Sequence, residues 1–513
     1  MFNLRFAAVA VVALAASLAA TPAYAHGFGE RYDLPIPLDY FIVGAAAAVV
    51  LSFVVIGLFV HGGGESFDYP RHNLRGDRLL SPILRSKVLL FAIRAVAVAV
   101  FALVLATSLF GSDKPIDNLS PTFIWVIWWV GVGYLSALVG NVWMLVNPWK
   151  ILFEWVSRLA GGGSRDEESP LFKYPEGLDV WPAVFLFFAF AWTENVYSGA
   201  YQPQRLGLLI LLYSFVTWTG MAAFGKRKWL ARGEAFSVLF GLFAKFSVTE
   251  VRVSDDRFCR RCSLDCNVTS KGCVDCYECF EMADEAKREF NLRPVAVGLA
   301  RPGRTSIGMT AFVVLALATV TFDGVQETPM WLDLQSSAVS AVSFLGSYAI
   351  DVVDTLGLVV VPTGFLAGFF MFSWGIKRLS GEMSAVVDVA NGFVFALVPI
   401  ALAYNLAHFI SFLAIQGQLM IPLASDPFGF GWDMFGTADY LINIGIVNAK
   451  FIWFLSVVAI VAGHIVSVYI SHIVSLFRVE DQRKALQGQY PMLALMVLYT
   501  ATSLWLIAQP IVG

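Results

Sequence analysis

The sequence predicts an all-α protein: a polytopic bundle of about ten transmembrane helices after a cleaved signal peptide, with a cytoplasmic cysteine-rich loop. Hydrophobic residues make up 58% of the 513-residue chain and charged residues only 14%, whereas soluble domains average about 25% charged residues. Ten apolar runs are long enough, or nearly so, to cross a bilayer. Basic residues concentrate in alternate loops between these runs. No basic patch of the kind that binds nucleic acid is present.

Residues 1–25 have the three parts of a secretory signal peptide. Arg5 supplies the positive start, Phe6 to Ala20 the apolar core, and Ala23-Tyr24-Ala25 a small-x-small cleavage site. The alternative is an uncleaved first anchor, but the short apolar run and the cleavage site favour removal. Cleavage would make His26 the first residue of the mature chain, on the outer side of the membrane.

The ten apolar runs follow one another along the mature chain. They lie near 39–60, 88–110, 122–146, 180–198, 206–224, 307–325, 356–374, 385–415, 451–474 and 492–510. The further run at 235–247 is too short to span about 30 Å of hydrocarbon and is interrupted by Lys245. We therefore expect an interfacial helix there.

The distribution of basic residues tests this order of spans. With the mature N-terminus outside, the inner loops are 61–87, 147–179, 226–306, 375–384 and 475–491, and they hold 29 of the 35 Lys and Arg residues. The positive-inside rule assigns these loops to the cytoplasm. We expect a multi-pass membrane protein whose mature N-terminus and C-terminus lie on the outer, periplasmic side.

The mature chain divides into three parts on this basis. The first membrane half, 26–247, has five spans plus the interfacial helix. The segment 248–306 is a cytoplasmic, cysteine-rich, metal-binding segment. The second membrane half, 307–513, has the other five spans.

All the cysteines of the chain stand within the cytoplasmic segment, in the spacing C-x2-C-x3-C-x6-C-x2-C-x2-C. They are Cys259, Cys262, Cys266, Cys273, Cys276 and Cys279. Because cytoplasmic thiols are kept reduced, we expect metal ligands rather than a disulfide framework. Two C-x2-C pairs have the spacing of a tetrahedral zinc site, and Cys273, Cys276 and Cys279 match the first three ligands of a ferredoxin-type cluster. Zinc and iron–sulfur both stay open, and thiols in a flexible loop are the third alternative.

Ionisable residues inside the predicted spans mark a second candidate site. Glu194, Asp323 and His408 are expected in the outer half of the bilayer, with His464 deeper. Burying such groups without partners is costly, so they pair, bind metal or line a cavity. Helix capping and contact with interfacial water are the alternatives. We predict that the first three converge on one outward-facing cavity with His464 at its floor, which binds a divalent metal or a polar substrate group.

His26 offers a separate metal site if cleavage occurs after Ala25. A terminal amine and an imidazole on one residue form a two-nitrogen chelate suited to copper or a similar ion. The alternative is a histidine that stands at the cleavage site by chance.

Several short patches, spread from the mature N-terminus to the last span, resemble bacterial membrane proteins of the fenitrothion hydrolase family. The patches are Ala25-His-Gly-Phe-Gly29, Asp33-Leu-Pro-Ile-Pro37, Thr321-Phe-Asp-Gly324, Tyr404-Asn-Leu-Ala-His408, Asp426-Pro-Phe-Gly429 with Gly431-Trp432, Gly463-His464, Tyr499-Thr500 and Leu504-Trp505. The resemblance implies an inner-membrane hydrolase of organophosphate triesters that releases a nitrophenol from phosphorus.

Three functions are compatible with these observations. In a hydrolase, a metal held by some of Glu194, Asp323, His408 and His464 would activate a water for attack on a lipophilic triester. In an electron-transfer protein, a cytoplasmic iron–sulfur cluster would receive electrons from a redox partner and pass them to a quinone or an outer metal site. A metal permease is the third hypothesis.

Overall fold

The computed structural model describes residues 33–60, 69–160, 170–255, 259, 262, 267–269, 272–300 and 305–511. The predicted signal peptide 1–25, His26 and Cys266 lie outside these residues. Within them the chain is mainly helical, with one small sheet.

Ten helices correspond to the ten predicted apolar runs. They are α1 (Leu38–Phe59), α2 (Lys87–Phe110), α3 (Leu119–Leu138), α4 (Trp181–Asn195), α5 (Pro203–Phe224), α6 (Ile307–Gln326), α7 (Ser343–Ser380), α8 (Val386–Ser425), α9 (Ala449–Arg478) and α10 (Gln482–Gln509). Nine of them, within the described residues, are long and apolar enough to cross a membrane. The exception is α4, whose 15 residues span only about 22 Å at 1.5 Å per residue.

Proline and short polar side chains set where several of these helices begin. Pro203 stands in the first turn of α5, where its missing N–H costs no hydrogen bond. Ser306 accepts a hydrogen bond from Met309 N at the start of α6, and Asn448 accepts one from Phe451 N at the start of α9.

The helix α6 forms the centre of the bundle. In the most apolar stretch of α6, 72% of the residues are buried inside the protein. The corresponding share is 6% in α2, which lies at the periphery of the bundle. The helix α6 packs against α4, α7 and α8, while α9 packs against α8, α1 and α10. A residue on α6 is therefore surrounded by protein from several sides.

The short helix Ala235–Ala244 differs from the interfacial helix that we expected. Nine of its ten residues are buried, and it packs against α3, α4 and the helix Trp143–Val146. The sequence is apolar around the whole helix, so burial on all sides is more favourable than a position at the membrane surface.

Five strands form an antiparallel sheet at one end of the bundle, in the order β1-β5-β2-β4-β3. They are β1 (His72–Asn73), β2 (Thr249–Val253), β3 (Asn267–Thr269), β4 (Gly272–Val274) and β5 (Arg288–Leu292). The all-α prediction missed this sheet. Its strands are short and carry charged residues, and Glu250 and Arg252 of β2 are buried because they pair with each other and Glu250 also pairs with Arg293.

Three of the predicted inner loops meet at this sheet. β1 belongs to loop 61–87 and pairs with β5 of loop 226–306. The helix Pro148–Leu159 of loop 147–179 reaches the same place, because Lys150 Nζ lies 2.7 Å from Glu281 Oε1.

The remaining inner loops join the same end. Arg478, at the end of α9, forms an ion pair with Glu382 in loop 375–384. His472 Nε2 lies 3.0 Å from the carbonyl oxygen of Val60, at the end of α1. All five predicted inner loops thus lie together, and the assignment of this end to the cytoplasm rests on the charge pattern.

The opposite end is also held by contacts between loops. Ser112 N donates to Phe428 O over 2.7 Å, and Leu119 N donates to Pro427 O over 3.1 Å. Gln326 Nε2 donates to the carbonyl of Asn195, which joins the ends of α6 and α4. Glu194 and Asp323 therefore lie near the end that the sequence predicts to be outer.

Candidate functional site

Asp323 and His408 form a hydrogen bond between the two central helices α6 and α8. Asp323 Oδ2 lies 2.8 Å from His408 Nε2, and the two side chains are 20% and 4% exposed. The neighbouring Gly324 makes room for Tyr404, because a Cβ there would lie 2.2 Å from the Tyr404 hydroxyl oxygen. The pair is thus embedded in protein while the carboxylate keeps some access to its surroundings.

A small cavity adjoins this pair and contains both carboxylates that the sequence singled out. Glu194, Asp323, Asn405, Thr319 and Trp129 are among its lining residues, and its volume is about 20 Å³. A cavity of this size holds about one water molecule. Trp129 Nε1 is buried in this lining and is directed at the Glu194 carboxylate as a hydrogen-bond donor.

The cavity does not have the ligand arrangement of a metal site. Among the described residues, groups of three or more His, Cys, Asp or Glu side chains whose ligand atoms lie within 4.8 Å of one another are formed by cysteines. Glu194, Asp323 and His408 share one region without reaching that spacing. A single water therefore fits this geometry better than the divalent ion that we expected.

His464 lies apart from the cavity lining. Its Nδ1 is 2.8 Å from the carbonyl of Ile460, and its Nε2 is buried with no hydrogen bond within the described residues. Two tyrosine rings lie between it and His408. The ring centroid of Tyr499 is 5.9 Å from that of His464 and 6.3 Å from that of Tyr404. The Tyr404 ring in turn stacks on His408, with centroids 6.1 Å apart. His464 is thus separated from the Asp323–His408 pair by Tyr499 and Tyr404, and it does not form the floor of the cavity that we predicted.

The cysteines gather where β4 leads into the helix Tyr277–Met282. Their Sγ atoms form two groups, each within 4.8 Å: Cys259, Cys273 and Cys279, and Cys262, Cys276 and Cys279. Antiparallel pairing sets Cys273 opposite Val253 of β2 and Val268 of β3. The sheet therefore assembles thiols from both ends of the cysteine motif, as metal binding requires.

One disulfide is present, between Cys259 and Cys273, with Cα atoms 5.8 Å apart. This differs from the expectation that all the cysteines stay reduced. The proximity that brings thiols into one metal site also permits a disulfide when two of them meet. Cys262, Cys276 and Cys279 are thiols in this structure.

A second cavity, of about 180 Å³, lies between the cysteine segment and the helices of the bundle. Asp275 and Tyr277, the two neighbours of Cys276, line it together with Asn141 and Lys245. Like the water-sized cavity between the carboxylates, it is lined by both polar and apolar residues, but it is larger.

Three residues around these sites were not predicted from the sequence. Asn405 lines the water-sized cavity three residues before His408, and that i, i+3 spacing on one helix could have indicated it. Glu250 of β2 and Arg293, directly after β5, form a buried ion pair, with Arg293 Nη1 3.5 Å from Glu250 Oε2. No local pattern connects two residues so distant along the chain.

Comparison of the chain with protein-family models, with curated proteins and with solved structures found no match.

Proposed function

We propose that this integral membrane protein is a hydrolase of organophosphate triesters, in which Glu194 and the Asp323–His408 pair activate a water. The observation that carries the proposal is the water-sized cavity lined by Glu194 and by Asp323, whose carboxylate is hydrogen-bonded to His408. The resemblance to the fenitrothion hydrolase family supplies the substrate class.

The chemistry requires a base, an orienting group and a nucleophile. Glu194 accepts a proton from the water, and Asp323 orients that water while His408 balances the charge of the Asp323 carboxylate. The water oxygen forms a bond to phosphorus as the bond from phosphorus to the nitrophenolate oxygen breaks. The nitrophenolate leaves with the bonding electrons, so the step needs no redox partner, and Glu194 activates the water in place of a metal ion.

The cavity has room for the water and not for the triester. The phosphorus centre must therefore approach from outside the cavity, next to the Asp323 side chain, which is 20% exposed. A lipophilic triester partitions into the bilayer, which would bring it to the side of the bundle.

The test is nitrophenolate release by the protein in lipid nanodiscs. Glu194→Gln and Asp323→Asn should each lower the rate about a hundredfold or more, the range for loss of a general acid–base group. His408→Ala should abolish hydrolysis and leave membrane insertion intact. A chelator should leave the wild-type rate unchanged, because the water is activated by side chains.

A matched control is His472→Gln, at a buried histidine bonded to Gln489 and Val60 outside this cavity. Full activity in Glu194→Gln, or no hydrolysis by the folded wild type, would overturn the proposal.

Electron transfer is the second candidate function, favoured by the buried thiol groups next to the bundle. Protein purified without oxygen would then contain iron and acid-labile sulfide and show a broad visible absorption band. A colourless protein without iron would exclude this function.

A further inference from the structure

Cys279 belongs to both groups of thiols. One group combines it with Cys259 and Cys273, the other with Cys262 and Cys276. A mononuclear site has at most four thiolate ligands, so five converging thiols exceed what one ion needs. A thiolate common to two groups of ligands is the arrangement in which sulfur bridges two ions.

The spacing of the sulfur atoms matches thiolate coordination. Zinc–thiolate bonds are about 2.3 Å long, so sulfur atoms around a tetrahedral ion stand about 3.8 Å apart. Each group already holds its Sγ atoms within 4.8 Å, so small side-chain movements reach this distance once the Cys259–Cys273 disulfide of the first group is reduced. Thiolates select soft or borderline ions such as Zn²⁺ and Cu⁺.

The surroundings suit a charged thiolate site. Cys259, Cys273 and Cys279 are no more than 1% exposed. Phe280, directly after Cys279, has the guanidinium groups of Arg75 and Arg288 over its ring at 5.6 and 5.8 Å. Two divalent ions and five thiolates leave one net negative charge, which these nearby arginines help to offset.

We propose that the reduced cysteine segment binds two zinc ions bridged by the Cys279 thiolate, and that formation of the Cys259–Cys273 disulfide releases one of them. The disulfide removes two of the three thiolates of the first group. The second group keeps all three of its thiols, so its ion stays.

The redox step is thiol–disulfide exchange with a small disulfide such as oxidised glutathione. The thiolates of Cys259 and Cys273 together give up two electrons and form one sulfur–sulfur bond. The sulfur–sulfur bond of glutathione breaks and yields two glutathione thiolates, so atoms and electrons balance. The zinc ion leaves because its two ligands are consumed.

The test measures zinc per chain in the purified full-length protein after loading with zinc and removal of excess. Reduced wild type should hold two zinc ions, and treatment with oxidised glutathione should lower this to one. Cys273→Ser and Cys262→Ser should each hold one zinc ion per chain. Cys279→Ser should bind neither zinc ion tightly.

A single tetrahedral site predicts a different result: one zinc per reduced wild-type chain. That outcome would overturn the two-ion proposal, as would oxidation that leaves the zinc content unchanged. The oxidation experiment uses the wild type, so it tests the two-ion proposal even if a variant misfolds. Because nitrophenolate release is measured separately, failure here leaves the proposed hydrolysis untouched.

Discussion

Lys150 Nζ lies 2.7 Å from Glu281 Oε1 and 3.3 Å from the carbonyl of Met144, and the lysine side chain is wholly buried. This pair connects the helix Pro148–Leu159 to the helix that carries Cys279. The membrane bundle and the cysteine segment are therefore coupled by a charge contact that neither forms alone.

We predict that Lys150→Met loosens the cysteine segment. Removing one partner of a buried ion pair costs about 3–5 kcal/mol. Glu281 is 35% exposed and keeps Arg94 at 3.6 Å, so we expect a loss of about 2 kcal/mol. The measurement is the rate of trypsin cleavage within 248–306, with the exposed Arg483→Met as control. Equal cleavage rates in wild type and Lys150→Met would contradict the coupling.

We predict that Glu250 stabilises the sheet at neutral pH and not in acid. Burial raises the pKa of Glu250, but the Tyr69 hydroxyl, together with Arg252, Asn291 and Arg293, holds it below the ordinary value of 4.5. Stability from a lowered pKa is present above the ordinary value and lost as pH falls through the folded value. Glu250→Gln should therefore be less stable than wild type at pH 7, with the difference shrinking below about pH 4.

Thermal melts of detergent-solubilised protein at a series of pH values check this prediction. Asp284→Asn removes an exposed carboxylate from the same segment and serves as control. A stability difference that stays constant down to pH 3 would show that Glu250 acts by packing alone.

We predict that Gly463→Ala destabilises the bundle by about 1–3 kcal/mol, the cost of overpacking. A Cβ at Gly463 would lie 2.5 Å from Ala403 Cβ and 2.7 Å from Pro399 O, where α9 crosses α8 beside His464. Gly364→Ala on α7 is the control, since nothing lies within 4 Å of its added Cβ. A lower melting temperature is expected only for Gly463→Ala.

We predict that an impermeant thiol reagent does not label the cysteines in sealed spheroplasts. Fifteen of the 35 basic residues lie in 226–306, which assigns this loop to the cytoplasm. Labelling after permeabilisation under reducing conditions is the positive control. Rapid labelling of sealed cells would reverse the orientation of the whole bundle.

The positions of the spans followed from hydropathy alone. Crossing a bilayer requires about twenty apolar residues, and this requirement is local, so the runs at 39–60 and 307–325 correspond to α1 and α6. The prediction for 180–198 was less complete, because α4 ends at Asn195, before the chain turns at 196–202.

The candidate site was predicted by residue type and decided by packing. The cost of burying charge singled out Glu194, Asp323 and His408 from the sequence. Only the packing of α4, α6 and α8 set the 2.8 Å contact between Asp323 and His408 and left a cavity for one water. Only that packing put His464 behind Tyr499.

Composition and spacing along the chain were enough to predict the membrane class, the order of the spans and the cluster of cysteines, because each of these depends on local sequence. The tertiary structure decided that β1 joins the cysteine segment in one sheet, that Cys279 lies between two groups of thiols and that Lys150 meets Glu281. The first and third of these contacts join residues more than a hundred positions apart. The second requires the backbone between Cys259 and Cys279 to fold back on itself. Their energies exist only once the chain has brought the partners together.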